Sequence, residues 1–315
     1  MSISKENIQQ AHERIKPFIH QTSVLTSATL NKFSGAELFF KCENFQKIGA
    51  FKIRGGMNAS LSLPKDQLQN GLATHSSGNH AQAIAYAAKE LKTKAFIVMP
   101  ENSPQVKVDA VREYGAEITF CENNQQAREA TLQSIVEKTG AAFIHPYNDE
   151  RVITGQATCA KELLEKIPGL DMIVAPVGGG GLLSGTSLSA HYFSSAKVYA
   201  AEPEGAADAE LSFRSGKIET APFVKTIADG LLTKLGDKTF PIIQQYVTDI
   251  LTVNDAEIIA AMKLVYERMK IVIEPSSAVT LAAVLKNKDV FAGKKVGIIF
   301  SGGNVDLKKL GEWFS

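Results

Sequence analysis

Cysteine is scarce in this chain. Cys42, Cys121 and Cys159 are the only three among 315 residues. They are odd in number, widely spaced and set in apolar surroundings. That pattern excludes a disulfide framework and indicates buried thiols in a cytoplasmic protein. An excess of either charge is missing too: 34 Lys and Arg stand against 33 Asp and Glu, a net charge of +1. This gives no electrostatic case for binding a nucleic acid or a membrane surface. No apolar stretch nears the ~20 residues of a membrane-spanning helix. The start, Met1-Ser-Ile-Ser-Lys-Glu-Asn7, is polar and holds no apolar core of a secretory leader. Low-complexity tracts, long linkers and short repeats are also lacking. What remains is ordinary for a globular chain, with 44% hydrophobic and 21% charged residues. The length suffices for two domains with their own cores.

Apolar strand-like runs alternate with amphipathic stretches. Lys94–Met99, Ala116–Phe120 and Ala142–His145 read as strands, with helices near 80–91, 104–114 and 124–139. The rhythm resumes with strands at 171–177, 197–202, 248–253 and 295–300. Short continuous apolar strands separated by helices predict an α/β fold with parallel sheets. Asn254 reads as the N-cap of an amphipathic helix, and Pro203 and Pro275 mark turns after Glu202 and Glu274. No linker marks a domain boundary. Spacing predicts a small domain, residues 70–148, inserted in a larger one built from 1–69 and 149–315.

The most informative stretch is Phe51-Lys52-Ile53-Arg54-Gly55, just before a helix-like region. A lysine between an aromatic and an aliphatic residue is partly desolvated, which lowers an ammonium pKa. A neutral amine forms a Schiff base with a carbonyl. The window alone favours a surface lysine with a buried stem. Three further motifs change the balance. Thr74-His-Ser-Ser-Gly-Asn-His80 precedes an Ala-rich helical run, so Ser77, Gly78 and Asn79 stand at a helix N-terminus. Such a place is an anion site, though Ser and Asn are also ordinary caps there. Val177-Gly-Gly-Gly-Gly181 follows the apolar run Met172–Val177, and bare glycines let a phosphate approach backbone N–H groups. Val296–Phe300 reads as a buried strand that ends in Ser301 and a tight turn.

With these residues in view the chain resembles the fold type II pyridoxal-5′-phosphate enzymes, in the serine racemase and serine/threonine dehydratase branch. The resemblance spans nearly the whole chain, with the motifs in family order. It implies two parallel-sheet α/β domains, like those of tryptophan synthase β, with the cofactor in the cleft. By this resemblance Lys52 carries the cofactor as a Schiff base and Phe51 packs beside the ring. Asn79 bonds the phenolic oxygen, and Ser301 the pyridine nitrogen. Gly178, Gly179, Gly180, Gly181 and Leu182 hold the phosphate. Ser76, Ser77, Asn79 and His80 hold the substrate carboxylate in their loop. The implied reaction is β-elimination from L-serine or L-threonine to a 2-oxoacid and ammonia, with Lys52 as the base at the α-carbon. A neutral hydroxyl at the ring nitrogen favours elimination over transamination.

Ser77 matches the serine that, in the racemases, lies on the ring face opposite the lysine. Its presence points to serine racemisation. Arg128, Tyr147 and Thr233 match positions that meet the substrate side chain. Tyr147 replaces the asparagine of animal racemases, and Thr233 stands where serine is usual. An arginine there could bind a β-carboxylate, so threo-3-hydroxyaspartate is an alternative substrate. Glu202 and Asp208, set around the turn in Glu202-Pro-Glu-Gly-Ala-Ala-Asp208, suit Mg²⁺, Mn²⁺ or Ca²⁺. Acidic surface turns are common, but the resemblance makes Glu202, Asp208 and the Ala206 carbonyl the metal ligands. It also implies a homodimer, and a nucleotide effector with Lys107 and Arg268 as the matching basic residues. With no C-terminal extension of the biosynthetic deaminase kind, isoleucine regulation is not expected.

Two rivals remain open on the residues. The glycine run, the following helix and Glu202 imitate a dinucleotide-binding unit. The spacing opposes it, because Gly179 and Gly181 are followed by Ser184 where glycine or alanine belongs. A nicotinamide enzyme would also leave Lys52 and the asparagine loop without a task. A non-catalytic protein that binds pyridoxal phosphate is the other rival.

Overall fold

The structure is a computed structural model that describes residues 3–103 and 105–315. Met1 and Ser2 of the polar start, and Pro104 at the head of the helix expected over 104–114, lie outside the described residues. In chain order the strands are β1 (Val24–Leu25), β2 (Glu37–Cys42), β3 (Leu72–His75), β4 (Ala95–Pro100) and β5 (Glu117–Cys121). They continue with β6 (Ala142–Phe143), β7 (Met172–Pro176), β8 (Lys197–Pro203), β9 (Val247–Val253) and β10 (Lys295–Phe300).

They build two sheets. The six-stranded sheet has the order β1-β2-β10-β7-β8-β9, and the four-stranded sheet β5-β4-β3-β6. Every pairing is parallel except that of β1 with β2. The expected α/β fold with parallel sheets is therefore the observed one.

Alternation along the central strands explains the near-continuous apolar runs. Leu38 and Phe40 of β2, Val174 of β7 and Ile298 and Phe300 of β10 fill one core. Phe39, Ile173, Ala175 and Ile299, one position out of phase, fill a second core on the opposite face. A strand buried on both faces has no polar side to show. The smaller sheet repeats this: Leu72, Ala95 and Ile97 pack into one cluster, Ala73 and Val98 into another.

Three strands, β1, β2 and β3, stand where the sequence pattern suggested none. β2 carries Lys41 one residue before its end, a charge that disguises a buried strand. Lys41 is 1% exposed, and its Nζ donates to Glu162 Oε2 at 2.6 Å. β3 is only four residues long. The helix near 254–270 runs Asp255–Met269, with Asn254 as N-cap in a capping box. The three cysteines are free and buried. Among the described residues no helix is long and apolar enough to cross a membrane.

Candidate active site

The candidate residues gather where strands end. In parallel α/β sheets the carboxyl ends of strands are the ligand side. Ser76 follows β3, Gly178 follows β7 and Ser301 follows β10.

Lys52 is the first residue of the helix Lys52–Leu61. The backbone N–H of Phe51 donates to the Ser301 carbonyl at 2.9 Å, tying this helix start to the end of β10. Lys52 is half-buried, its Nζ donating to the Pro146 carbonyl at 3.0 Å and lying 5.3 Å from the Phe51 ring centre. Burial pulls its pKa down to about 8, against the opposing pull of the Glu274 carboxylate. The Pro146 carbonyl is held by a turn. Nδ1 of His145 accepts the N–H groups of Tyr147 and Asn148 at 3.2 and 2.8 Å. Burial and neighbouring cationic groups lower the His145 pKa to about 4, which keeps that nitrogen an acceptor.

The helix N-termini that follow β3 and β7 carry no side-chain cap. The helix Asn79–Glu90 starts after Gly78, and the 13-residue helix Gly181–Phe193 starts after Gly180. Their first N–H groups have no partners within the helix and favour anions. Open space lies over Gly78, where an added Cβ would meet nothing within 4 Å. The Ser76 hydroxyl accepts from the Gly78 N–H at 3.2 Å. Ser77 is half-buried and does not cap the helix, against the simple cap reading. Around the glycine run the walls are tight. A Cβ on Gly179 would come within 2.4 Å of the Tyr147 ring, and one on Gly178 within 2.9 Å of Leu231 Cα. Gly180 has φ +88°. An amine, two bare helix N-termini and a buried hydroxyl at Ser301 suit a phosphate-bearing aldehyde cofactor, and the residues present fit pyridoxal phosphate.

Asn79 is already engaged on both sides. Its Nδ2 donates to the two oxygens of Glu274 at 3.0 and 3.1 Å, and its Oδ1 accepts from Asn304 Nδ2 at 2.9 Å. Burial pushes Glu274 up to about 7, with the Asp229 carboxylate adding to the shift. Lys107 donates to Asp229, another polar link between the segment of the four-stranded sheet and the rest. Ser301 is buried beside Ser277, with the two hydroxyls 3.1 Å apart.

Other candidates are placed less directly. The His80 ring is buried, with Nε2 3.1 Å from the Ile144 carbonyl, so only its backbone can serve an anion at the helix start. Arg128 bonds Asn123 through Nη2, and its buried Nε makes no hydrogen bond. The Tyr147 hydroxyl is held up mainly by burial, further by the Asp208 carboxylate, and is opposed by Thr233. Thr233 and Tyr147 are therefore neighbours, with the Asp208 carboxylate near enough to act on the phenol. Leu182 opens the helix next to Gly181.

The Glu202 carboxyl is fully buried, and its oxygens accept the N–H groups of Ala209 and Glu210 at 2.8 Å each. Burial pushes Glu202 up to about 8 and Asp208 up to about 6. Asp208 Oδ2 is buried without a hydrogen-bond partner, and Ala206 lies buried between the two acids. An orphan oxygen in an oxygen-only set fits a hard cation. Among the described residues no cluster of three or more His, Cys, Asp or Glu could hold a metal. The fit therefore rests on two carboxylates and one carbonyl.

Sequence reasoning passed over Glu274, His145, Ser277 and the buried charges under Lys52. Arg54 is 0% exposed and bonds Glu43 at 2.7 and 2.9 Å and Glu162 at 2.8 Å through two nitrogens. The signal was the charged positions inside apolar runs, Lys41 and Arg54, which cannot be buried without partners.

Over residues 15–302 the chain matches the family described as Pyridoxal-phosphate dependent enzyme. It is 53% identical to the beta-hydroxyaspartate dehydratase of Paracoccus denitrificans, covering 97% of each chain. It is 50% identical to the serine racemase of Dictyostelium discoideum, covering 98% of this chain and 97% of that one. The crystal structure of the Dictyostelium discoideum serine racemase superposes with a TM-score of 0.93 over 98% of this chain and 100% of that chain. The L-threo-3-hydroxyaspartate ammonia-lyase of Saccharomyces cerevisiae is 48% identical, covering 96% of this chain and 94% of that one.

Proposed function

Because this chain belongs to the pyridoxal-phosphate dependent enzymes, we propose that it eliminates water from β-hydroxy amino acids, releasing a 2-oxoacid and ammonia, and that it also racemises serine. The observation that carries this reading is Lys52, a half-buried amine with a pKa near 8 beside two uncapped helix N-termini. At neutral pH an amine with that pKa is unprotonated in roughly a tenth of the molecules, far more than an ordinary lysine, so it can serve as a base. Bound pyridoxal phosphate supplies an electron sink for the bonds at the α-carbon.

In this reading the N–H groups at Gly178, Gly179, Gly180, Gly181 and Leu182 hold the phosphate. Phe51 would flank the ring, Asn79 would turn its Nδ2 from Glu274 toward the phenolic oxygen, and Ser301 would meet the ring nitrogen. The N–H groups of the Ser76–His80 loop bind the substrate α-carboxylate. Lys52 takes the α-proton on one face, and Ser77 delivers or removes a proton on the other. The β-hydroxyl departs as water, and the product hydrolyses to the 2-oxoacid and ammonia. Residues 70–148 close over the substrate and exclude water. Glu202, Asp208 and the Ala206 carbonyl hold a divalent cation. A cytoplasmic homodimer completes the reading. A nucleotide effector at Lys107 and Arg268 would have to compete with Asp229 for Lys107.

One observation favours a second substrate. The unpartnered Nε of Arg128 calls for an acceptor, and a β-carboxylate such as that of threo-3-hydroxyaspartate supplies one. Tyr147 and Thr233 would line the same side. The test is a turnover panel of L-Ser, D-Ser, L-Thr and both threo-3-hydroxyaspartate enantiomers. Lys52→Ala is expected to lose the visible absorption of the loaded enzyme and all turnover. Arg128→Ala is expected to lose more kcat/KM on hydroxyaspartate than on L-serine, because a carboxylate is left unpaired. Turnover by Lys52→Ala at the wild-type rate rejects the proposal. Equal losses by Arg128→Ala on both substrates reject the dicarboxylate reading.

A further inference from the structure

We propose that Ser277 is a positioning residue that sets the direction of the Ser301 hydroxyl and makes Ser301 a donor to an unprotonated ring nitrogen. This rests on the assignment of Ser301 to the ring nitrogen made above. Ser277 lies in the first turn of the helix Pro275–Lys286, and both hydroxyls are buried, at 0% and 2% exposure. The argument is a count of protons.

The Gly302 N–H donates to Ser277 Oγ at 2.8 Å. An amide nitrogen cannot reverse that bond, so Ser277 is the acceptor there. Its single proton has two destinations, the Gly302 carbonyl at 2.7 Å or Ser301 Oγ at 3.1 Å. If the proton stays on Gly302, the contact between the serines needs the proton of Ser301. Ser301 then offers the ring only lone pairs, an arrangement that suits a protonated nitrogen.

If the proton of Ser277 turns to Ser301, the Gly302 carbonyl is not orphaned. It also accepts the Glu274 N–H at 3.0 Å. Ser301 is then free to donate to the ring. No carboxylate is bonded to Ser301 to keep the nitrogen charged, and the oxygens of Glu274 are engaged by Asn79. The chain Gly302 N–H to Ser277 to Ser301 to ring nitrogen points one way throughout. Each donor in such a chain polarises the next. Removing Ser277 would leave Ser301 in place but let its proton wander.

The test uses holoenzyme loaded with pyridoxal phosphate carrying ¹⁵N in the ring, read by ¹⁵N NMR. Wild type is expected at the frequency of a neutral, hydrogen-bonded pyridine nitrogen. Ser277→Ala is expected to move toward the unbonded pyridine frequency, and Ser301→Ala further in the same direction. Ser277→Cys keeps the bulk and a weak partner for the Gly302 N–H, and should fall between wild type and Ser277→Ala. It covers the case in which alanine unsettles the turn. A wild-type signal at the pyridinium frequency overturns the proposal, because Ser301 would then be the acceptor. So do Ser277 variants at the wild-type frequency while Ser301→Ala moves, because Ser277 would then be structural only. If Ser301→Ala also fails to move, the assignment of Ser301 to the ring is what falls.

Discussion

Ser77 and Glu274 are two residues whose roles can be separated by substitution. The helix Asn79–Glu90 takes no side-chain cap, so the Ser77 hydroxyl is not committed to holding the helix. If it serves the face opposite Lys52, Ser77→Ala should keep most L-serine elimination and lose D-serine formation. Chiral chromatography of L-serine incubations decides this, and a variant that racemises at an unchanged rate places the second acid elsewhere. Glu274 is raised by burial from 4.5 to about 7. An acid with a folded pKa above its unfolded value stabilises the fold while protonated. That contribution is full below its unfolded pKa and is lost as pH rises through about 7. In cofactor-free protein the melting temperature should therefore fall over that window. Glu274→Gln keeps an acceptor for Asn79 and cannot ionise, so it should flatten the fall, a difference on the order of a few kcal/mol. Parallel melting curves against pH for the two proteins would reject this. Lys52 was legible in the sequence because its neighbours and three motifs announced it. Glu274 was not, because it read only as the residue before a turn, and its partner Asn79 lies 195 residues away.

At the scale of elements, the helices Lys52–Leu61 and Glu150–Lys166 cross through glycines. A Cβ on Gly155 would stand 2.5 Å from the Arg54 carbonyl and 2.7 Å from Gly55 Cα. Backbone cannot yield there as a side chain can. Gly155→Ala should cost about 1–3 kcal/mol by overpacking and, by shifting the helix that begins at Lys52, weaken cofactor binding. A thermal melt and a cofactor titration check both, and wild-type values in each would show that the crossing adapts freely. The strands at 95–100, 172–176 and 295–300 were legible because burial on both faces leaves an unbroken apolar run. The helix Glu150–Lys166 was not read, although it is central. Its 17 residues bury Thr154, Gln156, Lys161 and Glu162 along with its apolar side chains, so no clean stripe survives.

Across the whole molecule the proposed metal site offers a test by removal. Chelation should lower turnover and melting temperature together, and Mg²⁺ or Mn²⁺ should restore both. A cation in 100-fold excess over its Kd stabilises by about 2.7 kcal/mol. Glu202 and Asp208 are both acids raised by burial, to about 8 and about 6. Metal-free protein should lose stability as pH rises through those values, so the protection given by the cation should grow with pH. An equal effect of Mg²⁺ on melting at about pH 6 and about pH 8 would show that the two carboxylates do not hold the ion. The parallel α/β architecture was legible from the rhythm of short apolar runs. The order of strands was not, because periodicity says which face of a strand is buried and nothing about its neighbour.

That order has a consequence for how the protein is made. β2 lies between β1, a strand of two residues, and β10, the last strand of the chain. While the ribosome is at work, the segment that leads into Lys52 has no lasting partner. Its slot exists only after residues 295–300 have emerged and paired with 37–42. Such distant pairing is slow and leaves apolar strands uncovered in the meantime. If Lys52 is the amine that takes the cofactor, capture should therefore wait until residues 295–300 have emerged and paired, because before then the lysine lacks the walls that define it.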